Sequence, residues 1–146
     1  MEFQLGSISS GTLRNQDLIP AMYSTLKQLG ELNRLPGQDT FKYAEYYNED
    51  SIYWTSEDAS WDFDILADAL NECCPAYVHF GTNEGDGADF GFWPDIDRIN
   101  EDIANAEYHN GDDILLLEEM VLVTVNDHGN VTVRDIWSHD ILWSCV

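Results

Sequence analysis

Residues 120–136, MVLVTVNDHGNVTVRDI, hold two apolar, β-branched runs, Met120–Val125 and Val131–Ile136, on either side of the turn formers Asn126-Asp-His-Gly-Asn130. β-Branched side chains fit a pleated surface, and Asn and Gly at the joint admit the sharp reversal that pairs two strands antiparallel. A β-hairpin is predicted here, and residues 141–146 are expected to add a last strand. Upstream, Ala76–Phe80 and Asp89–Trp93 are strand-like and flank the glycine-rich stretch Gly81–Gly87, which predicts a second hairpin with a long loop.

The first half reads differently. Leu18, Met22, Leu26 and Leu29 recur at helical spacing before Gly30, which predicts a helix over 15–29 with a kink or a late start near Ile19, because Pro20 removes a helical donor. Phe41, Ala44 and Tyr47 suggest a short second helix. Residues 58–73 form the clearest one, with Asp58 or Ser60 as N-cap and Trp61, Ile65, Leu66, Ala69, Leu70 and Cys73 along its apolar side. Pro94 and Asp95 open a further helix with the stripe Ile96, Ile99, Ile103. Helices first and strands later predict an α+β fold: one domain over 1–146, with an antiparallel sheet of about four or five strands and helices packed on one face.

Charge sets the functional expectation. The chain carries 28 Asp and Glu against 6 Lys and Arg, a formal net charge of −22 in 146 residues. No basic residue occurs between Lys42 and Arg98, a stretch of 55 residues with 14 carboxylates. Self-repulsion of this size opposes compaction, and what it provides is solubility and attraction of cations. A basic partner is implied; direct contact with nucleic acid and binding to an anionic membrane are not expected. The aromatic content, 12% of residues, argues against disorder. The beginning of the chain lacks the basic start and apolar core of a signal peptide, no apolar run approaches the roughly 18 residues of a membrane span, and the cysteines Cys73, Cys74 and Cys145 do not resemble a disulfide framework. A cytoplasmic protein is expected.

Asp64, Asp68 and Glu72 follow at i, i+4 and i+8, which puts three carboxylates on one helical row about 6 Å apart. Glu57, Asp58 and Asp62 stand at the start of the same helix, where its dipole favours negative charge. The hairpin adds Glu84, Asp86 and Asp89, and the helix after Asp95 adds Asp97, Glu101 and Asp102. These twelve residues are the candidate partner-binding surface, with Tyr53, Trp54 and Trp93 as expected exposed anchors. A duplex carries one charge per about 1.7 Å, so the net charge matches about 11 base pairs. A folded chain of this mass exposes roughly 7,600 Å², which spreads the charge about threefold more thinly than on a duplex, so imitation of DNA requires the carboxylates to gather. Adaptation to high salt is the alternative source of such acidity.

Little in the chain suggests catalysis. Cys73 and Cys74 end an apolar helix without cationic neighbours, and His128 sits among turn formers. His79, His109 and His139 lack metal-ligand spacing, so neither a metal nor another cofactor is expected. Residues 83–89 offer oxygen ligands on a glycine-rich loop, yet Pro94 stands where an EF-hand requires a Glu. A calcium-dependent or enzymatic role for 83–89 with His128 is the weakest alternative.

The segments Gly11-Thr-Leu-Arg14, Asp17-Leu-Ile-Pro20, Gly85-Asp-Gly-Ala-Asp-Phe-Gly-Phe-Trp93 and Asn126-Asp-His-Gly-Asn-Val-Thr132 resemble a group of small acidic proteins encoded by bacteriophages and other mobile elements. The resemblance implies a phage context and a place in the host bacterial cytoplasm, and lends no catalytic residue. By charge and size alone the chain also looks like anti-restriction and anti-CRISPR inhibitors that imitate DNA. The expected partner is then a basic nucleic-acid-binding host protein or ribonucleoprotein, or else a basic host or phage protein to which the chain is an acidic adaptor.

Overall fold

The computed structural model describes residues 2–145; Met1 and Val146, the last residue of the predicted terminal strand, lie outside the described residues. The chain divides into two compact units, Ser7–Cys74 with Phe80–Gly91, and the segment through Gly6 with Pro75–His79 and Phe92 onward.

The first, helical unit follows strand β1 (Gly6–Ser9) with helix α1 (Asn15–Gln28), 3-10 turns at Leu32–Arg34, Gln38–Glu45 and Ile52–Thr55, and helix α2 (Glu57–Glu72). Residues 80–83 of strand β2 (Val78–Asn83) and 86–91 of β3 (Asp86–Pro94) also belong to this unit, and the two strands form with β1 a three-stranded sheet of order β1-β3-β2. α1 packs on α2, and the core is Leu18, Ile19, Met22, Tyr23 and Leu26 against Ala59, Leu66, Ala69 and Leu70. Pro20 does not delay α1, which starts at Asn15 and runs on through it, because Ile19 and Met22 beside it are fully buried and that packing outweighs one missing helical bond. The short helix expected around Phe41 is a 3-10 helix, Gln38–Glu45, which ends before Tyr47.

α2 starts one residue before the predicted bound. Its N-cap is Ser56, whose hydroxyl accepts from Ala59 N at 3.2 Å, in place of Asp58 or Ser60. Trp61, expected on the apolar side, is 65% exposed. The helix geometry explains this, since five residues at 100° each set Trp61 about 140° around the axis from buried Leu66. The predicted loop Gly81–Gly87 is mostly strand: the hairpin closes through Glu84-Gly85, with Asn83 Oδ1 accepting from Gly85 N at 2.8 Å and Asp86 Oδ1 from Ala88 N at 3.0 Å.

The second, C-terminal unit holds helix α3 (Ile96–Ala104) and strands β4 (Tyr108–Asn110), β5 (Asp113–Leu116), β6 (Val121–Val125), β7 (Val131–Asp135) and β8 (Ile141–Cys145). The strands form an antiparallel meander in chain order. Val123 pairs with Val133 and Val133 with Trp143, all three fully buried, so the period-two pattern fixes the register. Trp143 Nε1 donates to Ala76 O at 2.8 Å. α3 is capped by Asp95, which accepts from Arg98 N at 3.1 Å, and packs on β5 through its Ile99 face. The α+β class and the five-stranded antiparallel sheet agree with the sequence reading, while the 76–93 hairpin joins a separate three-stranded sheet with β1.

Candidate functional site

Every residue on the outer stripe of α2 faces solvent because the opposite stripe is given to Ala59, Leu66, Ala69 and Leu70. Glu57, Asp64, Asp68 and Glu72 fall within about 80° of one another around the axis, with Trp61 in their midst. Asp58 is also exposed, at the flank of the stripe. The row expected from spacing thus exists, and it surrounds an indole.

Two α2 carboxylates of the candidate surface, Asp62 from the helix start and Glu72 from the row, are engaged inside the protein. Asp62 accepts hydrogen bonds at Oδ2 from Tyr43 OH at 2.5 Å and from Tyr53 OH, and the two hydroxyls also meet at 3.0 Å. Burial, followed by the bond to Asp62, pushes the Tyr53 hydroxyl up to about 12 and raises Tyr43 further. Glu72 lies 3.8 Å from Arg34 Nη1, and Arg34 also pairs with Glu31 at 2.9 Å. The lower end of the acidic row therefore meets a cation that the spacing did not show.

Other cations are likewise taken up by nearby acids: Arg14 by Asp17 and Glu49, Lys27 by Glu45, Lys42 by Asp39, and Arg98 by Glu119. Arg134 donates to Thr124 Oγ1 at 3.3 Å. Among the described residues, Glu57, Asp58, Asp64 and Asp68 have no ion-pair partner.

In the hairpin of the same unit, Glu84 and Asp86 are exposed at the turn, whereas Asp89 is half-buried with Oδ1 enclosed and lacking a hydrogen-bond partner. Asn71 ties the last turn of α2 to the hairpin, its side chain donating to Phe80 O at 3.1 Å and accepting from Phe80 N at 2.8 Å. Asp97, Glu101 and Asp102 belong to the C-terminal unit; the first two are exposed, and Asp102 accepts from Tyr77 OH at 2.6 Å.

The expected aromatic anchors are misplaced. Trp54 is 2% exposed and donates from Nε1 to Asn48 O at 2.8 Å, while Tyr53 and Trp93 are half-buried. The exposed rings of the helical unit are Trp61, Tyr46 and Tyr47. Sequence reasoning missed Trp61 because its spacing from Ile65 suits an apolar stripe; the carboxylates three and seven residues on were the signal that it faces out.

Burial pushes the Cys74 thiol up to about 12 and raises Cys73 as well, the opposite of an activated thiolate. His128 is exposed in the β6–β7 turn and belongs to the C-terminal unit, whereas residues 83–89 belong to the helical unit. Among the described residues no three His, Cys, Asp or Glu side chains converge to hold a metal ion, and no helix is long and apolar enough to cross a membrane. Comparison with known proteins finds no matching family model, no similar curated protein and no similar solved structure.

Proposed function

We propose that the protein is a phage-encoded, non-enzymatic inhibitor that occupies the nucleic-acid groove of a host defence complex, a restriction enzyme or a CRISPR effector, with carboxylates standing in for phosphates. The observation that carries this reading is the outer stripe of α2, where Glu57, Asp64 and Asp68 surround exposed Trp61 with no cation beside them. Arginines and lysines of a groove pair with such carboxylates through charge-assisted bonds, and an indole at the centre of the contact supplies apolar area. Glu84 and Asp86 of the hairpin turn are further exposed acids of the same unit.

Spacing supports a second reading. α2 spans about 22 Å along its axis, over which a duplex carries about 13 charges against four carboxylates on the stripe. A sparser row around an indole also suits an acidic adaptor that binds a basic host or phage protein without inhibiting a nuclease.

One variant set separates the two. Glu57→Lys, Asp64→Lys and Asp68→Lys together remove three charge-assisted contacts, and at about 1 kcal/mol each the affinity falls roughly 150-fold. The wild-type chain should protect DNA against a panel of purified restriction enzymes and CRISPR effectors in competition with DNA or guide RNA, and the triple variant should not. Protection that persists in a folded triple variant refutes the α2 surface; binding to a basic protein with cleavage unimpeded selects the adaptor.

A further inference from the structure

Where α3 ends above β4 and β5, the C-terminal unit holds a cleft of about 440 Å³ lined by Tyr77, Asp102, Asn105, Tyr108, Leu116 and Glu118 among others. This is within the size range of small-ligand sites. Tyr108 and Leu115 are direct partners in the β4–β5 ladder, so an aromatic and an aliphatic side chain rise from one sheet face into it. Leu116 and Leu117 extend the apolar wall.

The charged groups that line it are of one sign. Asp102, Glu107 and Glu118 line the cleft; Asp102 is oriented by Tyr77 OH at 2.6 Å, and neither Glu107 nor Glu118 has an ion-pair partner among the described residues. Arg98 sets its guanidinium 4.9 Å from the centre of the Tyr77 ring and is itself paired with Glu119. The chain thus already seats one guanidinium on this ring.

We propose that the cleft receives the side chain of an arginine presented by a basic polypeptide. An anionic ligand would be repelled by three carboxylates, and a neutral apolar one would strip water from them without compensation. A bare metal ion is disfavoured because no three of these acids converge. An arginine satisfies both halves of the site: its aliphatic stem lies along Leu115–Leu117, while the planar head meets tyrosine rings and accepts carboxylates in its fork. The inference does not rest on the reading of α2, since every residue in it belongs to the C-terminal unit.

The test is an NMR titration of the full chain with the capped tripeptide acetyl-Gly-Arg-Gly-amide. Saturable shifts confined to Tyr77, Tyr108 and Leu115–Leu117 are expected, with binding at least tenfold weaker for the citrulline peptide, which keeps the shape and loses the charge. The exposed pair Glu107→Gln and Glu118→Gln should weaken binding at least tenfold, and Glu57→Lys, Asp64→Lys and Asp68→Lys should leave it unchanged. Shifts absent from the cleft, equal binding of citrulline, or indifference to the Glu107 and Glu118 variants would overturn the assignment. Spermidine binding in preference to the arginine peptide would overturn the polypeptide ligand and assign the cleft to a free polyamine.

Discussion

Replacing Asp62 with alanine distinguishes the structural carboxylate of α2 from the free ones. Tyr43 and Tyr53 both donate to the same oxygen of Asp62, and these hydroxyls also meet each other at 3.0 Å. A hydrogen bond to a charged acceptor contributes about 1.5–3 kcal/mol net, and the surviving tyrosine pair keeps one hydroxyl satisfied, so Asp62→Ala should cost about 2–3 kcal/mol. Asp64 is exposed and has no partner, and its removal relieves repulsion with Asp68 and improves helix propensity, so Asp64→Ala should stabilise by roughly 0.5 kcal/mol. Urea unfolding followed by the helical circular dichroism of α1 and α2 reads both. With a slope of about 1.5 kcal/mol per molar, the Asp62 variant unfolds about 1.3–2 M earlier and the Asp64 variant slightly later. Asp62→Asn, which keeps one acceptor, should fall between. A midpoint for Asp62→Ala within experimental error of wild type, or an Asp64 variant as damaged as it, would refute the division of this helix into engaged and free acids.

Two further outcomes follow from the titrating groups. Tyr43, Tyr53 and Tyr77 are all raised, chiefly by burial, so their contribution is complete below the ordinary tyrosine value near 10 and is lost as pH climbs through their folded values. Alkaline unfolding is expected above about pH 10, with part of the phenolate absorbance at 295 nm arriving together with loss of the helical signal; complete phenolate formation with the fold intact would contradict it. Cys74, raised to about 12, should react with iodoacetamide at pH 8 on the order of 1,000-fold more slowly than a free thiol until the chain unfolds. Peptide mapping that finds Cys74 alkylated at the rate of glutathione would show the thiol to be accessible and acidic.

What the sequence disclosed depended on how local the cause was. The β6–β7 hairpin, the apolar side of α1 and the Asp95 cap are set by residues within one turn or one ladder step, and each was legible. β1, β4 and β5 were not anticipated, because Gly6–Ser9 and Tyr108–Asn110 are short and take their strand character from partners elsewhere in the chain. The glycines at 81, 85 and 87 suggested an open loop, yet the strands extend to a two-residue turn because Asn83 and Asp86 cap the reversal with their own side chains. The acidic row was visible as spacing, but its engagement was not: Asp62 is claimed by tyrosines nine and nineteen residues earlier, and Glu72 by Arg34 on a different 3-10 turn. Burial of Trp54 and exposure of Trp61 depend on which side of a short turn meets the core, which residue type does not reveal.

The distribution of indoles has a practical consequence. Each unit contains one sealed from solvent and one open to it: Trp54 and Trp61 in the helical unit, Trp143 and Trp137 in the C-terminal unit. With half-buried Trp93 between the extremes, intrinsic fluorescence therefore combines a blue-emitting pair that reports packing and a red-emitting, acrylamide-quenchable pair that reports the surface. Because Trp61 stands among Glu57, Asp64 and Asp68, which have no ion-pair partner among the described residues, a blue shift and loss of quenching in a Trp137→Phe variant would locate a docked partner at α2 without any label.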